Sequence, residues 1–231
     1  MRGTSRRLLF LLCGLAAVAL GGCADLDFLP VWFPFQGPIS DKLPGVKTPA
    51  ERIAELQKLA DTAASHSEEE KQKISEELAV SMRNEQDPLI RVQIIRTLGC
   101  YPGSAADAIL KAALSDTETN VRLAACEGWS HRNDANAVAL LSETLKGDVK
   151  GDVRLAAARA LGETHHPAAV PALGEALSDP DPAMQYRAVL SLEMVTGKDL
   201  GRNVERWQEY VKNPPKGDKT PTMAEQMRSL F

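Results

Sequence analysis

Apolar positions in the central part of the chain recur at the spacing of α-helices that come in pairs. Val153, Ala157 and Leu161 share one side of a helix, because residues three or four apart are neighbours on a helix surface. After a proline-containing break, Leu173 and Leu177 share one side of a second helix. The pattern predicts two amphipathic helices joined by a short turn.

This two-helix pattern repeats with a period of 31 or 32 residues. The first helix of each copy begins with an apolar residue, at Ile90, Val121, Val153 and Met184. Two further apolar columns keep the period in the second helices: Leu78, Leu110, Leu141 and Leu173, and Met82, Leu114, Leu145 and Leu177. Because a single pair cannot bury both of its faces, the copies must stack side by side and share one core.

Capping residues and glycines mark the predicted helix ends. Asp87 and Asp181 each precede a proline, which places a capping carboxylate before the first helical residue. Gly99, Gly162 and Gly197 lie where the first helix of a pair is predicted to stop. Five pairs result, at 48–64 with 67–84, 88–99 with 104–115, 118–131 with 134–146, 150–164 with 167–178, and 182–196 with 200–212. The predicted fold class is all-α, a short right-handed α-solenoid of about five helical hairpins.

The solenoid is predicted to span 48–212 and to be closed at both ends. Its first pair lacks the Val-Arg start of the later copies and has an acidic second helix, which suits a terminal cap. In its last helix, Trp207 and Tyr210 replace the leucine columns and would cover the open apolar edge. Residues 213–231 are predicted to form a flexible C-terminal tail, with 223–231 at most a short amphipathic turn.

The repeats resemble a known family. The period, the Asp-Pro-x-x-Arg start at Asp87 and the string Val-Arg-Leu-Ala-Ala-Ala-Arg-Ala-Leu-Gly at 153–162 are similar to HEAT-like repeats of the phycobilisome-lyase type, over residues 87–196. The resemblance implies a structural ladder of Arg91, Arg122 and Arg154 with Asp87, Asp116, Asp148 and Asp179. An anion-binding strip along the arginines is the alternative. Gln185 interrupts the arginine column at its last step.

Residues 1–22 have the pattern of a signal peptide. Three arginines precede an apolar run at 8–20, which is shorter than the ~20 residues that a membrane-spanning helix needs. The following Leu20-Gly21-Gly22-Cys23 resembles the bacterial lipobox, which implies cleavage before Cys23 and a lipid on its thiol. Because Ala24 follows the cysteine rather than aspartate, the resemblance implies the periplasmic face of the outer membrane. A plain secretory signal with an incidental Cys23 is the alternative.

Residues 23–47 are predicted to join the lipidated cysteine to the solenoid as a tether. The stretch 28–35 reads Phe-Leu-Pro-Val-Trp-Phe-Pro-Phe, in which prolines block regular structure. Its aromatic side chains are too apolar for a solvated linker. Two locations stay open for this stretch: the membrane interface beside the lipid, or a position folded back on the first helices.

Charge and composition narrow the range of partners. The formal net charge of the whole chain is −4, and loss of the three signal-peptide arginines makes it −7. An acidic chain without a cluster of lysines and arginines argues against nucleic acid as the partner. Its high alanine and low aromatic content suits closely packed helices.

Two cysteines and several histidines are candidates for chemistry. Cys100 and Cys126 fall at different levels of neighbouring helices and are predicted to be buried and unpaired. His131 aligns with Cys100 and Glu163, and His165 lies nearby, but the spacing matches no metal signature. The sequence also lacks a recognisable catalytic motif. We therefore expect no metal, no cofactor besides the covalent lipid, and no enzyme activity; a metal protein or lyase-like enzyme is the rival hypothesis.

The remaining functional feature is the exposed stripe of the second helices. We expect it to include Lys111, Ser142, Glu143 and Glu175 and to bind a basic or amphipathic segment of another envelope protein. A merely solvated polar face, on a structural spacer without a specific partner, is the alternative.

The anchoring prediction can be tested by metabolic labelling with radioactive palmitate. The full-length protein should incorporate label and partition with envelope membranes, because basic start, apolar run and lipobox coincide at Cys23. Cys23→Ser should lose the label, whereas Cys13→Ser, inside the predicted signal peptide, should keep it. Equal labelling of wild type and Cys23→Ser, or none in either, would contradict the prediction.

Overall fold

The computed structural model describes residues 45–214, which contain ten α-helices and no strand. The helices are α1 Pro49–Asp61, α2 Glu68–Asn84, α3 Pro88–Gly99, α4 Ser104–Ala113, α5 Thr119–Ser130, α6 Ala135–Gly147, α7 Gly151–Glu163, α8 Val170–Ala176, α9 Pro182–Thr196 and α10 Val204–Lys212. None of these helices has the length and apolar character needed to cross a bilayer. The predicted signal peptide, Cys23, the 28–35 stretch and the tail beyond residue 214 lie outside the described residues.

The ten helices form the all-α solenoid that the sequence predicts. Helices α1, α3, α5, α7 and α9 make one layer, in which each helix packs against the next. The second helix of each pair lies on the other side of a continuous apolar core. The column Leu78, Leu110, Leu141 and Leu173 is buried in this core. The repeat period of the sequence is therefore the period of stacking in the molecule.

Glycines let the helices of the first layer approach closely. A Cβ atom on Gly99 would lie 3.0 Å from the Cα of Gly128, and one on Gly162 would lie 2.8 Å from the Cα of Ser191. Gly99 is the last residue of α3 and Gly162 the last but one of α7, so both lie at helix ends as predicted, and both also allow the close interhelical contact. Gly197 does end α9, in the left-handed conformation with φ 65°.

The last helix closes the apolar edge of the second layer. Trp207 and Tyr210 are buried with their ring centroids 5.7 Å apart in an edge-to-face arrangement. The Trp207 Nε1 donates a hydrogen bond to the carbonyl oxygen of Gly201 at 2.9 Å. Helix α10 begins later than predicted because the side chain of Asn203 accepts from the backbone N–H of Arg206 and caps the helix there.

The close approach at Gly162 gives a testable prediction. Gly162→Ala should lower the free energy of unfolding by about 1–3 kcal/mol, because the new methyl group meets backbone that cannot move aside cheaply. Gly147→Ala is the matched control, since no atom lies within 4 Å of its added Cβ; it should leave stability unchanged or raise it by up to about 1 kcal/mol. Urea denaturation followed by circular dichroism measures both. Equal effects at the two positions would contradict the packing account.

Candidate functional site

A carboxylate recurs in the turn that leads into four of the first-layer helices. The residues are Glu85, Asp116, Asp148 and Asp179. Each accepts a hydrogen bond from the backbone N–H two residues further on, at 2.8–2.9 Å. The carboxylate thereby orders the turn and satisfies an N–H group at the start of a helix.

Arginines of the preceding first-layer helix bind three of these carboxylates. We call these pairs the ladder: Arg52 with Glu85, Arg91 with Asp116, and Arg122 with Asp148. The Arg122–Asp148 pair is bidentate, with Nε to Oδ2 at 2.7 Å and Nη2 to Oδ1 at 3.2 Å. Its two side chains are only 9% and 8% exposed. Each ladder pair ties one helix pair to the turn of the next.

The first rung of the ladder differs from the predicted column. Asp87, which was predicted as a ladder acid, instead caps α3 by accepting a hydrogen bond from the backbone N–H of Leu89 at 2.9 Å. Glu85 occupies the periodic position two residues earlier and pairs with Arg52. Sequence reasoning missed both partners because the first pair has glutamate for aspartate and lacks the Val-Arg start.

The last rung of the predicted column is incomplete. Arg154 donates to the backbone oxygen of Asp148 at 3.0 Å and forms no ion pair with any carboxylate of residues 45–214. Asp179 therefore has no arginine partner in that range, although it still orders the turn before α9. Gln185 takes the arginine position of α9 and donates to the backbone oxygen of Asp179 at 2.8 Å. At these last steps the side-chain hydrogen bond to the backbone oxygen of the turn is kept, but the ion pair is lost.

Electrostatics at the central pair depend on burial and hydrogen bonding together. Burial raises the pKa of the Asp148 carboxyl, but hydrogen bonds from Arg122 and from the backbone N–H of Lys150, with the positive charges of Arg122 and Arg154, hold its net pKa below the ordinary value. The hydrogen bond to Asp148 likewise raises the pKa of Arg122. Both groups therefore carry full charge near neutral pH.

A groove of about 510 Å³ opens beside this central pair, between α4 and α6. These two second-layer helices lie farther apart than the neighbouring first-layer helices do. Arg122 and Asp148 line the inner side of the groove, and the half-buried Leu114 and Leu140 contribute apolar surface. Val149, at the rim, is 85% exposed. The groove thus joins a fixed ion pair to accessible apolar surface.

The predicted partner-binding residues separate into two groups. Lys111 and Glu143 line this groove from opposite helices, are exposed, and form no ion pair within the described range. Glu175 instead pairs with Lys146, with Nζ and Oε2 2.7 Å apart. Ser142 is half-buried and does not line the groove. The structure therefore brings together two of the four residues of the predicted stripe.

Of the cysteine and histidine candidates, Cys100 and His131 line a second pocket, of about 450 Å³. Cys100 is exposed there, contrary to the prediction that it is buried, because it caps the end of α3. Arg132 also lines the pocket and donates to the carbonyl oxygens of Gly99 and Tyr101 at 2.8 and 3.0 Å. No group of three or more His, Cys, Asp or Glu side chains is arranged to hold a metal ion in the part of the chain that the structure describes.

The other cysteine and histidines have structural surroundings. Cys126 is buried and unpaired, and burial raises the pKa of its thiol to about 12. His165 Nδ1 lies 3.2 Å from the backbone oxygen of Met194, and His166 Nδ1 accepts from the N–H of Ala168. His165 therefore connects the end of α7 to α9, whereas His166 caps the turn before α8.

Comparison with known proteins agrees with this fold. A model of HEAT repeats matches residues 75–161 and 139–202, which together make up more than half of the chain. The chain therefore belongs to the HEAT-repeat family. A comparison with curated proteins finds no match. Among solved structures, human deoxyhypusine hydroxylase in complex with glycerol is similar, with a TM-score of 0.48 and 23% identity over 54% of this chain and 44% of that chain. The matched part is less than half of that enzyme.

The buried ladder pair predicts a large and specific stability effect. Arg122→Ala should lower the free energy of unfolding by about 3–5 kcal/mol, because it leaves Asp148 buried without its partner. Arg96→Ala is the matched control: Arg96 pairs with Glu127, both side chains are about half exposed, and the loss should be about 0–1 kcal/mol. Urea denaturation at pH 7 measures the two variants.

The same pair gives this stability effect a pH dependence. Because the folded pKa of Asp148 lies below its unfolded value, the carboxylate stabilises the protein fully above about pH 4 and loses this effect as pH falls through the folded pKa. The stability difference between wild type and Asp148→Asn should therefore shrink below about pH 4. A difference that stays constant down to pH 2, or equal losses in Arg122→Ala and Arg96→Ala, would contradict the account.

Proposed function

We propose that this chain is a lipid-anchored scaffold of the bacterial cell envelope that binds another envelope protein or peptide and catalyses no reaction itself. The observation that carries the proposal is the groove between α4 and α6, with its accessible apolar surface and two uncommitted charges. Stacked helical pairs present continuous surfaces of this kind. The lipid anchor rests on the lipobox pattern that ends at Cys23.

Two charges in the groove are free to contact a partner. The carboxylates of Asp116 and Asp148 are already bound by ladder arginines, so they contribute little attraction at the surface. Lys111 and Glu143 have no such partner among the described residues. An amphipathic segment fits this arrangement if it brings a cationic side chain to Glu143, a carboxylate to Lys111 and an apolar side chain to the rim at Val149.

The chemistry of the second pocket supports a non-catalytic role. Cys100 is exposed as a residue, but its thiol is partly buried, and this partial burial raises the pKa of the thiol; Arg132 opposes the rise, and Asp61 and Glu127 add to it. A nucleophilic or metal-binding cysteine requires the thiolate form, which a raised pKa disfavours. Zinc or iron bound tightly to the purified protein would overturn this part of the proposal.

Site-specific photocrosslinking in native envelopes tests the binding role. A photoreactive amino acid at Val149 should crosslink one defined partner, identified by mass spectrometry, because this position lies at the groove rim. Adding Glu143→Lys should reduce the crosslink at least about tenfold, the equivalent of 1.4 kcal/mol, since the charge facing the partner is reversed.

Glu175→Lys is the matched control, with the same charge change outside the groove, and it should leave the crosslink intact. Circular dichroism verifies that both variants are folded. Loss of the crosslink in both variants would assign binding to the wider stripe of second helices. The same crosslink in wild type and in Glu143→Lys would show that the groove is not the binding surface, and no crosslink at all would favour a spacer without a specific partner.

A further inference from the structure

Helix α9, the last of the first layer, has an apolar outer face that its predecessors lack. Tyr186, Leu190 and Met194 follow one another at intervals of four residues and so share one side of the helix. In the preceding repeat the positions of Leu190 and Met194 are taken by Arg159 and Glu163, which form an ion pair at 2.7 Å. The solenoid therefore exchanges a charged face for an apolar one at its C-terminal end.

This apolar stripe of α9 is open to solvent. Tyr186 is 51% and Met194 is 41% exposed, while Leu190 is half-buried between them. At one end, Arg202 lies over the Tyr186 ring at 5.2 Å and donates a hydrogen bond to its hydroxyl at 3.0 Å. Helix α7 packs on one side of α9, and within residues 45–214 no further first-layer helix packs on the other side. The stripe thus lies on the last first-layer helix of the described residues.

We propose that residues 223–231 of this same chain pack along the stripe formed by Tyr186, Leu190 and Met194. The segment reads Met-Ala-Glu-Gln-Met-Arg-Ser-Leu-Phe, and its apolar residues at 223, 227, 230 and 231 share one face at helical spacing. It also carries Glu225 and Arg228, whose charges complement those of Arg187 and Glu193 on α9.

The path of the chain makes the stripe accessible to this segment. Helix α10, after which the described residues end, packs against both α8 and α9. The connection from 215 to 222 can span at most roughly 28 Å when extended. A helix of the length of α9 is about 22 Å long, so the extended connection is longer than the stripe itself. The flexibility predicted for residues 213–231 is then confined to the connection.

The size of the stripe favours a tethered segment over a second copy of the chain. Tyr186 and Met194 together expose apolar area on the order of 200 Å². A stable interface between separate proteins buries about 800 Å² on each side. A segment attached by a short linker binds at an effective concentration in the millimolar range, on the order of 1 mM, so a small contact is sufficient. Docking would cover this stripe and leave the groove between α4 and α6 open.

Hydrogen exchange measured by mass spectrometry on the full chain tests this docking. Amides of residues 223–231 should exchange about threefold more slowly, or more, than those of a free peptide of the same sequence, at any protein concentration. Met194→Glu should abolish this protection, because it places a carboxylate in the apolar stripe. Val80→Glu is the matched control: it also replaces an exposed apolar side chain by a carboxylate, but on α2. This variant should leave the protection intact.

Three results would overturn the proposal. Exchange of 223–231 at the free-peptide rate would show that the segment is not docked. Protection that increases with protein concentration would assign the stripe to a second copy of the chain. Protection equal in Met194→Glu and Val80→Glu would place the segment elsewhere. If Met194→Glu proves unfolded by circular dichroism, Met227→Glu applies the same test from the tail, and retained protection in it would equally overturn the proposal.

Discussion

The ion pair between an arginine of one repeat and the carboxylate in the next turn sets the geometry on which the rest of the structure depends. The carboxylate of Asp148 binds Arg122 on one side and the backbone N–H of Lys150 on the other. One group therefore orders a turn, starts a helix and fixes the neighbouring repeat. Helices packed this closely need small residues where they cross, as at Gly99, which lies against Gly128 between the two helices that the Arg91–Asp116 pair ties together.

The regular part of this architecture could be predicted from the sequence because it depends on local periodicity. Apolar spacing and capping residues gave ten helices in five pairs, and the structure has ten helices between residues 45 and 214. The ladder was harder to assign, because Asp87 and Glu85 lie two residues apart and both can order a turn. Only the three-dimensional structure shows that Glu85 faces Arg52 while Asp87 caps α3.

The candidate site could be predicted only in part, because it depends on distances between helices that are far apart in sequence. The groove exists because α4 and α6 do not pack closely against each other, and no residue pattern encodes that spacing directly. Lys111 and Glu143 were identified by their exposure on the second helices, which is a local property. Glu175 was assigned to the same surface, although Lys146 on the neighbouring helix neutralises it. Exposure alone does not distinguish a free charge from a paired one.

The ladder also determines what the groove can recognise. The Arg122–Asp148 pair is the most buried of the three ladder pairs, so its side chains already have fixed positions on the inner side of the groove. A partner bound there would therefore cause little reorganisation of this side. The buried charges cancel one another, which leaves recognition to one cation and one anion on opposite walls. Two opposite charges add modest affinity at a solvated rim, but they favour one direction of a bound segment over the reverse. In the proposed role, the groove would select the orientation of an amphipathic partner, and apolar contact at the rim would supply the binding energy.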